Sequence, residues 1–134
     1  MATNLIGQKR WDGDAGNSLW SDPRNWSDNT LPTLSDDVLF DNSRRVNSYT
    51  VILPNTVTTV RGIRISPASG QTIQVILPAT NTEAPGLVIS SFTHGLIIEN
   101  RGIFQNSSGA TSGTSLSVTD SVRINNGGRY IHNT

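Results

Sequence analysis

The chain has no cysteine among its 134 residues. Disulfides, Cys-ligated zinc, iron–sulfur clusters and thiol catalysis are therefore excluded. Charge is scarce as well: Lys and Arg number 10, Asp and Glu number 10, and the formal net charge is zero. A neutral, sparsely charged chain gives no electrostatic reason to expect nucleic acid or an anionic membrane as a partner. Arg44-Arg45 and Arg61/Arg64 are too thin a set to track phosphates. No run is long enough to cross a membrane, and Met1–Gly7 has neither the basic n-region nor the apolar h-region of a secretory signal. Helical periodicity is missing too, because no i, i+3, i+4, i+7 pattern persists over ten residues.

What is present is β-type text. Hydrophobic residues make up 34% of the chain, and Ser, Thr, Asn and Gly make up most of the remainder, which suits a turn-rich β protein rather than a disordered one. Short β-branched runs recur: Tyr49–Leu53, Val60–Ile65, Thr72–Leu77, Gly86–Ile89, Leu96–Ile98, Ile103–Phe104, Leu116–Val118, Val122–Ile124 and Tyr130–Ile131. Each is bounded by Gly, Pro, Asn or Ser, as strands are. Residues 80–85 and 106–114 read as loops. Three of the runs share a unit of apolar-x-apolar, a Gly/Asn turn and an apolar pair: Ile63–Ile73, Leu96–Phe104 and Val122–Ile131. The steps at Ile65, Ile98 and Ile124 are 33 and 26 residues. Strict solenoid rungs are nearer to ~20 residues, so each step is a rung plus an insertion, and insertions belong on one face. Gly and Asn suit rung corners because they accept positive φ. Hairpins would use the same residues.

The expected fold is all-β: a short right-handed parallel β-helix, or β-solenoid, with an aromatic N-terminal cap. An antiparallel β-sandwich or jelly roll is the alternative. Residues 1–48 are read as a Trp/Asp-rich capping segment and residues 49–134 as the rungs. Trp11, Trp20 and Trp26 all fall in the first part, as do seven of the ten acidic residues. A stack of rungs needs a different structure over its end. The last run, Tyr130–Thr134, is followed by no such segment, so an open rung with exposed strand edges is expected there. The chain then reads as a fragment of a longer polypeptide, or as one that self-associates through the C-terminal rung.

The opening, with Trp11, Gly13, Trp20, Trp26, Leu31-Pro32 and Asp36-Asp37-Val38-x-Phe40-Asp41, resembles the start of the repeat region of large bacterial surface proteins. These are autotransporter-type or sorting-signal-bearing proteins with right-handed β-helix bodies. The tail, Leu116–Val118 and Val122–Asn133, is similar to their rung text. The resemblance covers the first third and last fifth well. It implies an extracellular or cell-surface location and a non-catalytic structural or adhesive role. A β-helical polysaccharide-degrading enzyme with its site beyond residue 134 and a carbohydrate-binding module are the alternatives, since fold alone does not assign function.

The candidate sites are few. Trp11, Trp20 and Trp26 are candidates for a sugar-binding platform, set against a role as the hydrophobic plug of the first rung. Asp12, Asp14 and Asn17 resemble the start of a Ca2+ loop. Gly16 stands at the third ligand position and Pro23 at the twelfth, so local turns are the competing reading. Asp36, Asp37 and Asp41 read as a turn into a strand. For catalysis there are only His94 and His132, and Glu99 with Asp120 as an acid/base pair if neighbouring rungs bring them together. No cofactor motif is present, and no enzyme activity is expected. Glycans are the small-ligand class to consider.

Overall fold

The computed structural model describes residues 7–134 apart from Phe92. The chain begins with β1 (Gly7–Arg10) and then winds through repeated turns. The first turn carries β2 (Asp36–Asp41), β3 (Tyr49–Ile52) and β4 (Thr58–Val60). The second carries β5 (Gly62–Ser66), β6 (Ile73–Leu77) and β7 (Leu87–Ile89). The third carries β8 (Leu96–Ile98), β9 (Gly102–Asn106) and β10 (Leu116–Val118), and the fourth carries β11 (Val122–Ile124) and β12 (Arg129–His132). Corresponding strands stack into three sheets, ordered β1-β2-β5-β8-β11, β3-β6-β9-β12 and β4-β7-β10. Every pairing between these strands is parallel. The architecture is a β-solenoid of about 4 turns, not the antiparallel sandwich.

In-register parallel stacking puts chemically similar side chains above one another. Phe40, Ile65, Ile98 and Ile124 form one ladder of the first sheet, and Val38, Ile63, Leu96 and Val122 form another. Val51, Val75, Phe104 and Tyr130 line the second sheet, and Val60, Ile89 and Val118 the third. Alternation along each strand sends these residues inward and their neighbours outward. The burial of the core runs unbroken from Val38 to Phe104. Full burial of such a side chain contributes roughly 1.5–3 kcal/mol.

Two sequence expectations are refined. The run Val60–Ile65 is not one strand. It breaks at Arg61, so Val60 ends β4 in the third sheet and Ile63 lies in β5 of the first. The Arg61 N–H donates to the Asp36 carbonyl at 2.9 Å and its guanidinium binds the Asp37 carboxylate, which fixes the corner. In addition, the segment 1–48 contributes β1 and β2 to the first sheet. The part that closes over the end of the stack is residues 11–35.

The insertions are shared among the corners, with 42–48 and 67–72 between the first and second sheets and 90–95 between the third and first, while the two longest connections lie at one corner. Residues 53–57, 78–86 and 107–115 all join the second sheet to the third. Asn81 is fully buried there. Its Nδ2 donates to the Pro54 carbonyl at 2.9 Å, its Oδ1 accepts from the Glu83 N–H, and its own carbonyl accepts from Gly109 N–H. One residue thereby ties three successive turns through its side chain and its carbonyl, as buried polar atoms require. The opposite corner, between the first and second sheets, turns through positive φ at Gly70, Arg101 and Gly127 in successive rungs. Arg101 adopts this conformation despite its Cβ, and its side chain donates to the Gln71 carbonyl at 2.9 Å in the rung below.

Candidate functional site

The N-terminal end is sealed. Trp11, Trp20 and Trp26 are only 1%, 3% and 0% exposed. Trp26 meets Trp11 and Trp20 edge-on, with centroids 5.2 and 5.0 Å apart, and all three contact Phe40. Trp11 also stacks on Tyr49 at 6.2 Å. A sugar platform needs a ring face open to solvent, and these rings face one another. Their arrangement is that of a plug, in which large aromatics contribute the most buried area. Residues 11–35 also protect strand edges. Trp20 N–H donates to the Ile52 carbonyl and Ile52 N–H to the Ser18 carbonyl, so Leu19 continues the second sheet one step beyond β3.

Asp12 and Asn17 spend their side-chain oxygens on local bonds. Asp12 Oδ1 accepts from the Asp14 N–H at 3.0 Å, an Asx turn. Asn17 Oδ1 accepts from the Leu19 N–H and from Asn25 Nδ2, while its Nδ2 donates to Asp22. Buried Asn25 completes the lock by accepting from the Ala15 N–H and donating to the Leu19 carbonyl. Asp22 caps the 3-10 turn Pro23–Asn25 by accepting from the Arg24 N–H. Its side-chain bonds from Arg24, and then from Asn17, hold the Asp22 carboxyl well below the usual carboxylate range. Among the described residues no group of three or more His, Asp or Glu is placed to hold a metal ion.

Glu99 and Asp120 lie at opposite ends of their strands, so the register does not make them a pair. Ile98 aligns with Ile124, which puts Glu99 beside Asn125. Glu99 accepts from Asn125 Nδ2 at 2.6 Å and from Arg64 at 2.7 Å. These bonds, Asn125 first, lower its pKa. Asp120 precedes β11 and accepts from the His94 N–H and from Ser121 Oγ. Ser121 Oγ also lies 3.0 Å from His94 Nδ1. In nucleophilic catalysis the imidazole stands between hydroxyl and carboxylate. Here the hydroxyl stands between the other two, which suits a lock between the loop before β8 and the turn before β11. His132 stacks on Tyr130 at 6.4 Å.

The C-terminal end of the described fold is open. The two ladders of the first sheet end at Val122 and Ile124, which are 42% and 47% exposed, whereas Ile65 and Ile98 below Ile124 are 0% exposed. Leu116, Val118 and Tyr130 are only partly buried. The outermost strands β10, β11 and β12 each pair on one side only.

The chain matches no protein-family model, no curated protein and no solved structure. Its functional features must be read from its own geometry. The sealed cap, the metal-like loop and the carboxylates were all visible in the sequence. Which groups they contact was not, because that depends on the lengths of the insertions.

Proposed function

We propose that this chain is a non-catalytic structural and adhesive segment of a bacterial extracellular or cell-surface protein, and that its open rung receives further β-structure. The observation that carries this reading is the exposed pair Val122 and Ile124 at the head of ladders that are otherwise buried. Apolar side chains at an unpaired strand edge are a template for another strand. The resemblance of residues 11–41 to the opening of bacterial surface-protein repeat regions supports the location and the adhesive role.

Two occupants suit the edge: the next rung of a longer polypeptide, or a second copy. A two-fold axis across the end would set β11 against its own copy in antiparallel pairing, and β12 against the copy of β10. Such an isologous contact closes without forming fibres. Sedimentation velocity over a range of concentrations tests self-pairing. A dimer that Ile124→Lys converts to a monomer is the expected result. A monomer throughout leaves the next rung of a longer chain as the occupant. A monomer in which β11 amides resist hydrogen exchange as well as those of β8 would mean that the end needs no cover, and the reading would fall.

A further inference from the structure

The outer face of the first sheet carries a cleft of about 240 Å³, formed by outward residues of β1, β2, β5 and β8 and by the loop before β8. Its base is Gly62. A Cβ at this position would stand 3.0 Å from Asp37 Oδ1 and 3.5 Å from the Gly95 carbonyl, so the missing side chain keeps the cleft open. Leu39, Arg64 and Ile97 stand one above another across it, as their strand register requires.

The polar groups of the cleft are positioned in advance. Arg61 Nη1 donates to both oxygens of Asp37, at 2.8 and 2.7 Å. That leaves Arg61 Nε and Nη2, and further lone pairs of Asp37, for a ligand. Arg64 donates through Nε and Nη2 to Glu99, which leaves its Nη1. His94 is held at φ 38°, a left-handed backbone conformation that favours glycine. Strain of this kind persists where the surroundings over-determine it. Its N–H is tied to Asp120 and its Nδ1 to Ser121, so Nε2 is the ring nitrogen left for a ligand.

Each arginine already faces a carboxylate. Asp37 and Glu99 already offset the charge of the two guanidinium groups, so net negative charge on a ligand gains little here. The groups left over are donors and acceptors side by side, next to the aliphatic Leu39 and Ile97. A ring that presents neighbouring hydroxyls on its rim and C–H groups on its face satisfies both sets. We propose that the cleft of Asp37, Arg61, Arg64 and Ile97 binds a neutral hexose unit of a glycan. The assignment is independent of the open rung, whose test is the state of association.

The experiment is a titration of the isotope-labelled chain with maltotetraose, cellotetraose, mannotetraose and trigalacturonate, followed by backbone amide shifts. The expected result is saturable shifts from at least one neutral oligomer, centred on Gly62–Arg64 and Ile97. Asp37→Ala removes a charged acceptor, and loss of such a bond weakens binding by about tenfold or more. Ile97→Lys, on the exposed face of the sheet, acts as a second variant, and thermal melts establish that both fold. No saturable shift with any neutral oligomer overturns the proposal. So does binding of trigalacturonate alone, shifts centred elsewhere on the molecule, or affinity unchanged in both folded variants.

Discussion

Trp26 donates its indole N–H to the Trp20 carbonyl at 2.9 Å, while the two rings meet edge-on with centroids 5.0 Å apart. The same pair of residues thus satisfies a buried polar group and fills the end of the core. An indole is suited to both tasks, with an apolar body and one donor that must find a partner when buried.

Two substitutions separate those tasks. Trp20→Ala removes a buried ring and leaves a cavity, and it should cost about 3–5 kcal/mol. Trp26→Phe keeps an aromatic ring, loses the N–H donor and leaves the Trp20 carbonyl without its partner. That change should cost about 1–3 kcal/mol from the hydrogen bond, with some lost packing besides. Urea unfolding of both variants checks the order. Equal and small losses would mean that the cap does not hold the stack together.

Asn81 is the polar counterpart of the tryptophans. It is fully buried, and its Nδ2 donates to the carbonyls of Pro54 and Thr56 in the turn below. Asn81→Leu should lose those bonds and strand the acceptors, at about 1–3 kcal/mol for each group left unsatisfied. Gly86 makes the site tighter, since a Cβ there would stand 2.6 Å from Asn81 Oδ1. Gly86→Ala should therefore destabilise in the same direction, whereas Glu83→Ala, on the exposed side of the same loop, should change stability by less than about 0.5 kcal/mol. Thermal melts of the three variants test this ranking.

The pH dependence has two limbs with opposite signs. Tyr49 donates its hydroxyl to the Asp41 carbonyl at 2.8 Å. Burial, reinforced by the nearby Asp41 carboxylate, pushes its pKa far upward. The folded chain then keeps the phenolic proton that the unfolded chain releases above about pH 10. Stability should fall as pH rises past that point, and Tyr49→Phe should flatten the alkaline limb. On the acid side, Asp28 is lowered chiefly by its bond from Lys9, and Glu99 chiefly by its bond from Asn125. Their folded-state pKa values lie below the unfolded ones. Their contribution is present above about pH 4 and lost as pH falls. Both groups are close to solvent, so this limb should be shallow. Melting temperature followed from acid to alkaline pH reads both limbs.

Much of the rung register was legible because parallel in-register stacking repeats the same text. Ile63-x-Ile65, Leu96-x-Ile98 and Val122-x-Ile124 align in sequence as they do in space. Val38-x-Phe40 obeys the same rule one turn earlier, and its neighbours Asp36, Asp37 and Asp41 made it read as part of the cap. The corner at Arg61 was hidden because Val60-Arg-Gly-Ile63 keeps β-type composition through the bend. The outer cleft was hidden for a different reason. Asp37 lies in the first turn, Arg61 and Arg64 at the start of the second and His94 before the third, and only the rung lengths bring them onto one face.

The ladder of Ile65, Ile98 and Ile124 supplies the sharpest test of the open end. The three isoleucines occupy equivalent positions in successive rungs. They differ in cover: Ile65 and Ile98 are 0% exposed and Ile124 is 47% exposed. Large-to-small changes at buried aliphatic positions cost about 2–5 kcal/mol because a cavity remains. Ile65→Ala and Ile98→Ala should fall in that range. Ile124→Ala has no rung above it to leave a cavity against, so it should cost less than about 1 kcal/mol at concentrations where the chain is a monomer. The gap should narrow under conditions in which the end is occupied, because the same side chain is then buried from both sides. Chemical unfolding of the three variants at low and high protein concentration measures this. A cost for Ile124→Ala equal to that for Ile98→Ala in the monomer would show that the final rung is already covered, and would remove the physical basis for an occupant at that end.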